Sequence, residues 1–257
     1  MWRRVRIAFL LLILAVVAWS NVYDRWSTTD WDETLYVGVF PIDDASTAAA
    51  EAYVRNLDDT DVADIEAFFT EEAGRYGVGI KQPVRVLMYP PVRESPPHRD
   101  ADSGLIATMW WSLRMRMYAS RASRESGLPP PQVRIFVHFH DPESTVEVPH
   151  SVGLQKGLVG VVHAFAGAGA RGSNNVVVTH EILHTLGATD KYDPLTLHPS
   201  DPHGYGDPAQ SPRYPQRFGE IMAGRVAVSP QESEIPRSLA EMLVGELTAR
   251  EIRWVKP

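Results

Sequence analysis

The stretch VVVTHEILHTLGATDKYD, residues 176–193, sets His180 and His184 four apart, with Glu181 directly after the first. Gly187 and then Asp190 follow at intervals of three. On a helix, residues four apart lie nearly one above the other, so both imidazoles can address a single ion. Glu181 then points to the side of that ion, where it can accept a proton from a water without becoming a ligand. Glycine at 187 lets the helix end in a left-handed turn, after which Asp190 can return to the ion. Two imidazoles and one carboxylate leave a fourth tetrahedral position open, the arrangement of catalytic rather than structural zinc. The competing reading is a buried helix with two incidental histidines, yet all five residues at this spacing are rare by chance in 257 residues.

The elements around this motif must hold it still. Val178, Ile182 and Leu186 fall on the opposite helical face and are expected to bury against a core. Three consecutive valines are poor helix formers, so tertiary packing has to override their propensity. Ahead of the motif the chain reads as one α+β unit. Thr34–Phe40 is a strand, Ser46–Leu57 and Thr60–Tyr76 are helices, the second capped by Asp59 or Thr60, and Pro83–Tyr89 is a strand stopped by Pro90 and Pro91. A helix over Ser103–Glu125 carries Leu105, Met109, Leu113 and Met117 as its expected core stripe, with Arg114, Arg121 and Arg124 on a solvated face. VRIFVHFH, residues 133–140, is a strand with Val133, Ile135, Val137 and Phe139 on one side. His138 and His140 share the other side and could bind a metal together, against the plainer reading of exposed or hydrogen-bonded histidines. Gly157–Phe165 is a further strand, and IPRSLAEMLVGELTAREIRW reads as a C-terminal helix opened by Pro236, with Leu239, Leu243 and Leu247 packing inward.

HEILHTLGATD resembles the H-E-x-x-H-x-x-G-x-x-H/D signature of the metzincin zinc metallopeptidases, in the aspartate-ending version found in snapalysin-like enzymes. GEIMAGR offers Met222 for the methionine-containing turn of that family, with plain core packing as the alternative. The resemblance covers the active-site helix and this segment; for the first two-thirds of the chain it rests on the order of elements alone. It implies a mixed twisted sheet, an active-site helix and a small C-terminal part, with an upper portion of about 27–187 and a lower one of about 188–257. It also implies His180, His184 and Asp190 as zinc ligands, Glu181 as general base and acid, Met222 as the hydrophobic floor and Gly187 as the turn after the helix. The free edge of Gly157–Phe165 is then expected to pair with an extended peptide substrate.

Two positions depart from the family. The residue two after the turn methionine is Gly224 rather than a tyrosine, leaving Tyr192, Tyr205 or Tyr214 to stabilise a tetrahedral intermediate. A propeptide cysteine is also missing, so latency, if present, needs another device, such as an aspartate of TTDWDETL. The loop from 191 to 220 is rich in Pro, Gly, Asp and His. Solvated turn aspartates are the default reading of Asp193, Asp201 and Asp207, with calcium binding there, or a second zinc at His198 and His203, as the alternatives.

Composition bounds the partners. With 44% apolar residues the chain can bury a core, and a net charge of -7 without a basic block argues against nucleic acid. The absence of cysteine removes disulfides, thiol nucleophiles and thiolate zinc sites. MWRRVRIAFLLLILAVVAWSNVYDRW puts three arginines before an apolar run from Ile7 to Trp19, a membrane-targeting pattern over residues 1–26. The run is short for a span, which suits a cleaved signal peptide, but Trp19, Tyr23 and Trp26 suit the interfacial belt of an uncleaved anchor. The expectation is a single-pass inner-membrane protein with its catalytic domain outside the cytoplasm, secreted or periplasmic if the signal is cut. The expected activity is hydrolysis of peptide bonds by zinc-activated water. The alternatives are an inactive binding module with structural zinc, or a zinc hydrolase of non-peptide amides or esters.

Overall fold

The computed structural model describes residues 28–43, 47–98, 104–145, 148–149, 151–154 and 158–255. The targeting segment expected over residues 1–26 lies outside them. Among the described residues, no helix is long and apolar enough to cross a membrane.

The β-rich runs align side by side. Strands β1 (Leu35–Ile42), β2 (Val84–Met88), β3 (Val133–His140), β4 (Val152–Leu154) and β5 (Val159–Phe165) form one sheet in the order β2-β1-β3-β5-β4. The first three pairings of that order are parallel; β4 joins the outer side of β5 antiparallel. Strands that run parallel are covered on both faces, and alternation along them supplies two cores. Leu35, Val37 and Val39 of β1 and Val133, Ile135 and Val137 of β3 face helices α1 (Ala48–Arg55), α2 (Ala63–Arg75) and α4 (Arg171–Leu186), joining Ile65, Phe69, Ile182 and Leu186. Phe40, Ile42 and Phe136 face helix α3 (Leu105–Glu125) instead, against Met115, Ala119 and Ala122. The result is a mixed α+β fold of three layers.

After Gly187 the chain builds only short pieces: two-stranded pairings of β6 (Gly219–Glu220) with β9 (Met242–Leu243) and of β7 (Val226–Ala227) with β8 (Ser233–Glu234), and helix α5 (Glu246–Glu251). These share the larger core, since Leu239, Met242, Val244, Ile252 and Trp254 bury among residues of the sheet and α2. Trp31 closes the same region, donating from its indole nitrogen to Ile252 O at 2.7 Å and meeting Trp254 edge-on.

Four expectations need correction. The stripe Met109, Leu113 and Met117 of α3 is not core; these residues are 65, 46 and 62% exposed. Helix α3 instead turns Met115, Ala119 and Ala122 inward, and Ser123 accepts from Arg134 Nε at 2.8 Å. Both sets have helical spacing, and two positions of offset puts them on opposite faces, so periodicity alone could not choose. The turn before α2 is capped by Asp58 rather than Asp59 or Thr60, through a reciprocal capping box with Asp61. The C-terminal segment is not one helix: Leu243 extends into β9 to pair with Glu220, and α5 starts afresh after Gly245. The outer side of β5 is not free. Strand β4 covers Val159–Val161, the Ser151 hydroxyl accepts from His163 N, and the Asn174 side chain accepts from Phe165 N at 3.2 Å while donating to Phe165 O at 2.9 Å. Among the described residues, the open edge beside α4 therefore belongs to β4.

Candidate metal centre

Helix α4 carries the motif, and burial offsets the poor propensity of its valine run: Val176, Val178, Ile182, Leu183 and Leu186 are each at most 3% exposed, and Val177 packs partly buried beside them. Its start is fastened at several points. Asn174 clasps β5, Asn175 donates to Asp61 O at 2.7 Å, and Ser173 donates to Pro236 O at 2.8 Å. Its end is set by Gly187, whose φ of 107° is left-handed and whose N–H returns to His184 O at 3.1 Å. Ala188 N then bonds Leu183 O at 3.0 Å, closing the helix with the chain already reversed.

That reversal brings Asp190 back over the histidines. Asp190 Oδ1 lies 3.2 Å from His180 Nε2 and 3.1 Å from His184 Nε2. Each imidazole is held from behind: His180 Nδ1 lies 2.9 Å from Ile221 O and His184 Nδ1 2.9 Å from Ala188 O. A carbonyl oxygen only accepts, so Nδ1 carries the proton in both rings, and in the neutral imidazoles Nε2 is a bare lone pair. Two such lone pairs and a carboxylate oxygen aimed at one point need a cation between them. Donors at 2.0–2.1 Å from a tetrahedral ion stand roughly 3.3–3.4 Å apart, so the carboxylate already sits at a fitting distance from both rings. The residues present fit a divalent metal.

Electrostatics agree with that fit. Burial alone would raise Asp190 and lower His184, but the bonds between them win: Asp190 is held far below the usual carboxylate range and His184 above the usual imidazole range. Glu181 is 4% exposed. Burial pushes its carboxyl up, with Asp190 adding to the rise and the two histidines opposing it. Its Oε2 is buried with no hydrogen-bond partner among the described residues, as suits a base whose partner is a water or a substrate.

The turn Ile221–Gly224 lies against this centre. Ile221 O orients His180, and Met222 O accepts from Lys191 N at 2.9 Å, one residue past Asp190. Met222 is fully buried and Gly224 has a φ of 67°. The turn is organised by Glu220, a fully buried carboxylate accepting from Met222 N, Ala223 N, Gly245 N and the Thr248 hydroxyl. Burial raises the Glu220 carboxyl and these donors oppose the rise. Sequence reasoning missed this residue, and also a clamp on either side of Asp190. Thr189 bonds Glu251 through N and Oγ1 at 3.0 and 2.7 Å, and the buried Lys191 ammonium meets Glu251 Oε2 at 2.8 Å and Thr189 O at 2.6 Å. A buried lysine and a half-buried glutamate 60 residues apart leave no local pattern to read.

Of the three tyrosines considered, Tyr192 is the one at the centre: its ring lies 6.4 Å from that of His180. Burial first, then the charges of Asp190 and Glu181, raise its pKa. Tyr205 and Tyr214 bond each other, hydroxyl to hydroxyl, at 2.6 Å. The loop aspartates are engaged in turns. Asp193 accepts from Leu195 N and Thr196 N, Asp207 from Ala209 N, and Asp201 pairs with Arg213. His198 faces the carbonyls of Pro199 and Ser229. Among the described residues, ligating groups converge only at His180, His184 and Asp190 and at His138, His140 and His163. Asp30 and Asp32 of the TTDWDETL segment are exposed, and that segment is anchored through Trp31. A concavity of about 550 Å³ along α3 is lined by Glu94, Met117, Tyr118 and several arginines and holds no such cluster. No protein-family model matches the chain, and no curated protein matches it in sequence.

Proposed function

We propose that the protein is a zinc-dependent peptidase of the metzincin type, its catalytic domain exported and tethered by the N-terminal segment. The observation that carries this reading is the convergence of His180 Nε2, His184 Nε2 and Asp190 Oδ1 beside a buried Glu181 carboxylate. A zinc ion held by these three residues would supply Lewis acidity, lowering the pKa of a water beside Glu181 toward ~7. Glu181 takes the proton of the attacking water and passes it to the leaving nitrogen, which its raised pKa favours near neutral pH. Ile221 O and Ala188 O keep both imidazoles in one tautomer and one orientation through the cycle. Tyr192, beside Asp190, donates its hydroxyl proton in a hydrogen bond to the developing oxyanion, the role the residue at Gly224 cannot fill. The antiparallel edge of β4 offers backbone groups to an extended peptide. An intact, buried base distinguishes this reading from a binding module with structural metal, which has no use for one.

Glu181→Gln tests it, because the substitution keeps shape and polarity and removes the proton acceptor. Zinc content and folding should survive while cleavage of a proteome-derived peptide library falls by roughly 10²–10⁴. Cleavage at the wild-type rate removes Glu181 from the mechanism. A folded, zinc-loaded wild type that cleaves no peptide defeats the peptidase reading.

A further inference from the structure

The opposite face of the sheet carries a second convergence of ligating side chains. His138 and His140, two apart on β3, project to the same side, and β5 runs parallel with His163 in register with His138. The rings sit close: centroids are 4.5 Å apart for His138 and His140, 5.1 Å for His140 and His163, and 5.6 Å for His138 and His163. One nitrogen from each lies within 4.8 Å of one from each of the others, and all three residues are half-buried. We propose that His138, His140 and His163 form a second divalent metal site, separate from the centre on α4.

The ligand chemistry selects the ion. Three imidazoles without a carboxylate suit zinc or copper(II), and offer calcium or magnesium none of the oxygens they require. Three protein ligands leave a fourth position for water. His140 Nε2 and His163 Nδ1 share a hydrogen bond at 2.9 Å; a metal would replace its proton, and two donors on a tetrahedral ion stand roughly 3.3–3.4 Å apart. A small rotation of either ring about its soft χ2 opens the gap. The three ligands stand on paired strands rather than on a loop.

The two sites cannot share an ion. Val162 and Ala164, which flank His163, point into the core beneath α4, so His163 points away from it. A metal at His138, His140 and His163 instead ties β3 to β5, the strand that Asn174 clasps at the start of α4. It thereby stiffens the sheet under the proposed catalytic helix. This inference does not depend on peptidase activity.

The test uses the full chain in detergent, equilibrated with zinc or copper(II) against a weak chelator, with bound metal counted by mass spectrometry. Wild type should hold about two zinc ions per chain and the His180→Ala, His184→Ala variant about one. Adding His138→Asn and His163→Asn to that variant should remove the last ion. Binding of either metal supports the site, and the one retained at the lower free concentration identifies the occupant. A measurement without further substitution guards against misfolding: a hundredfold excess of zinc over its Kd should raise the thermal midpoint of His180→Ala, His184→Ala on the order of 5 °C. A folded His180→Ala, His184→Ala chain that binds neither metal overturns the proposal, as does retention of the ion after His138 and His163 are replaced.

Discussion

Glu251→Ala separates the positioning of Asp190 from its chemistry. The Glu251 carboxylate takes three donors, Thr189 N, Thr189 Oγ1 and Lys191 Nζ, and Lys191 is only 4% exposed. Truncation leaves a buried ammonium with Thr189 O and Thr189 Oγ1 as its remaining acceptors and strips Thr189 N of its own. Breaking one half of a buried pair costs about 3–5 kcal/mol. The 21% exposure of the Glu251 side chain lets water reach the vacated space, so we expect the low end, about 3 kcal/mol. Asp190 lies between the two clamped residues, so its carboxylate should lose its aim. Loss of support behind a ligand typically weakens metal binding by roughly 10–100-fold. Denaturant unfolding at neutral pH and a competition titration for zinc check the two effects on one preparation. In Glu251→Ala, Lys191→Met the charge is removed with its partner, and stability should recover in part while zinc affinity stays low. The sign of the pH dependence follows as well. Although burial alone would raise it, the bonds from Lys191 and Thr189 hold Glu251 below its ordinary pKa. Its contribution is therefore present above about pH 4.3 and lost as pH falls through the folded value. A Glu251→Ala chain with wild-type zinc affinity and less than about 1 kcal/mol of destabilisation would refute the clamp.

Gly187→Ala forces a Cβ into a φ of 107°; we expect about 1–3 kcal/mol of destabilisation and weaker zinc retention, and unchanged unfolding would mean that the turn relaxes without strain. Glu220→Gln is isosteric, but its amide must turn donors toward either the Met222 and Ala223 N–H groups or Gly245 N and Thr248. At least one buried donor is stranded at about 1–3 kcal/mol, and a neutral result in denaturant unfolding would show that the site accepts an amide. In metal-free chain, the raised His184 contributes stability below about pH 6.5 that is lost as pH rises through its folded pKa, and the depressed Asp190 contributes above about pH 3.9. The chelated protein should therefore melt higher at pH 5.5 than at pH 8.5, while zinc affinity rises over the same interval as protons leave His184; a zinc affinity independent of pH would contradict the pairing.

The candidate centre was legible because its ligands fall within eleven residues and a helix converts that spacing directly into geometry. The two faces of β3 were legible for the same reason, a period of two acting on Val133 to His140. What failed depended on partners distant in sequence. Helix α3 offers two stripes of helical spacing, and only the sheet beneath it selects the one with Met115 and Ala119. Strand β4 is three residues long, too short for a pattern, yet it takes the edge expected of β5. His163 could have been found: Val162 and Ala164 on the core side of β5 turn it to the opposite face, where His138 and His140 were already expected. Glu220, Lys191 and Glu251 carried no signal, since a lone charged residue reads as solvated until the fold buries it.

The identity of the third ligand bears on how the proposed base must behave. Two neutral imidazoles and the Asp190 carboxylate leave a divalent ion with a formal charge near +1, whereas three imidazoles at His138, His140 and His163 would leave +2. A less positive ion would acidify a water less, so on the proposed mechanism more of the proton transfer would fall to Glu181. Burial at 4% exposure and the nearby Asp190 charge both raise that carboxyl, which makes it the stronger base. On the proposed mechanism Asp190 would therefore act twice, weakening the acid and strengthening the base of the same step. Asp190→His should reverse both effects. In such a variant, provided zinc is retained, the acidic limb of the activity profile should move to lower pH, because Glu181 loses the neighbouring negative charge that raised it. An acidic limb that stays in place would mean that Asp190 serves as a ligand alone.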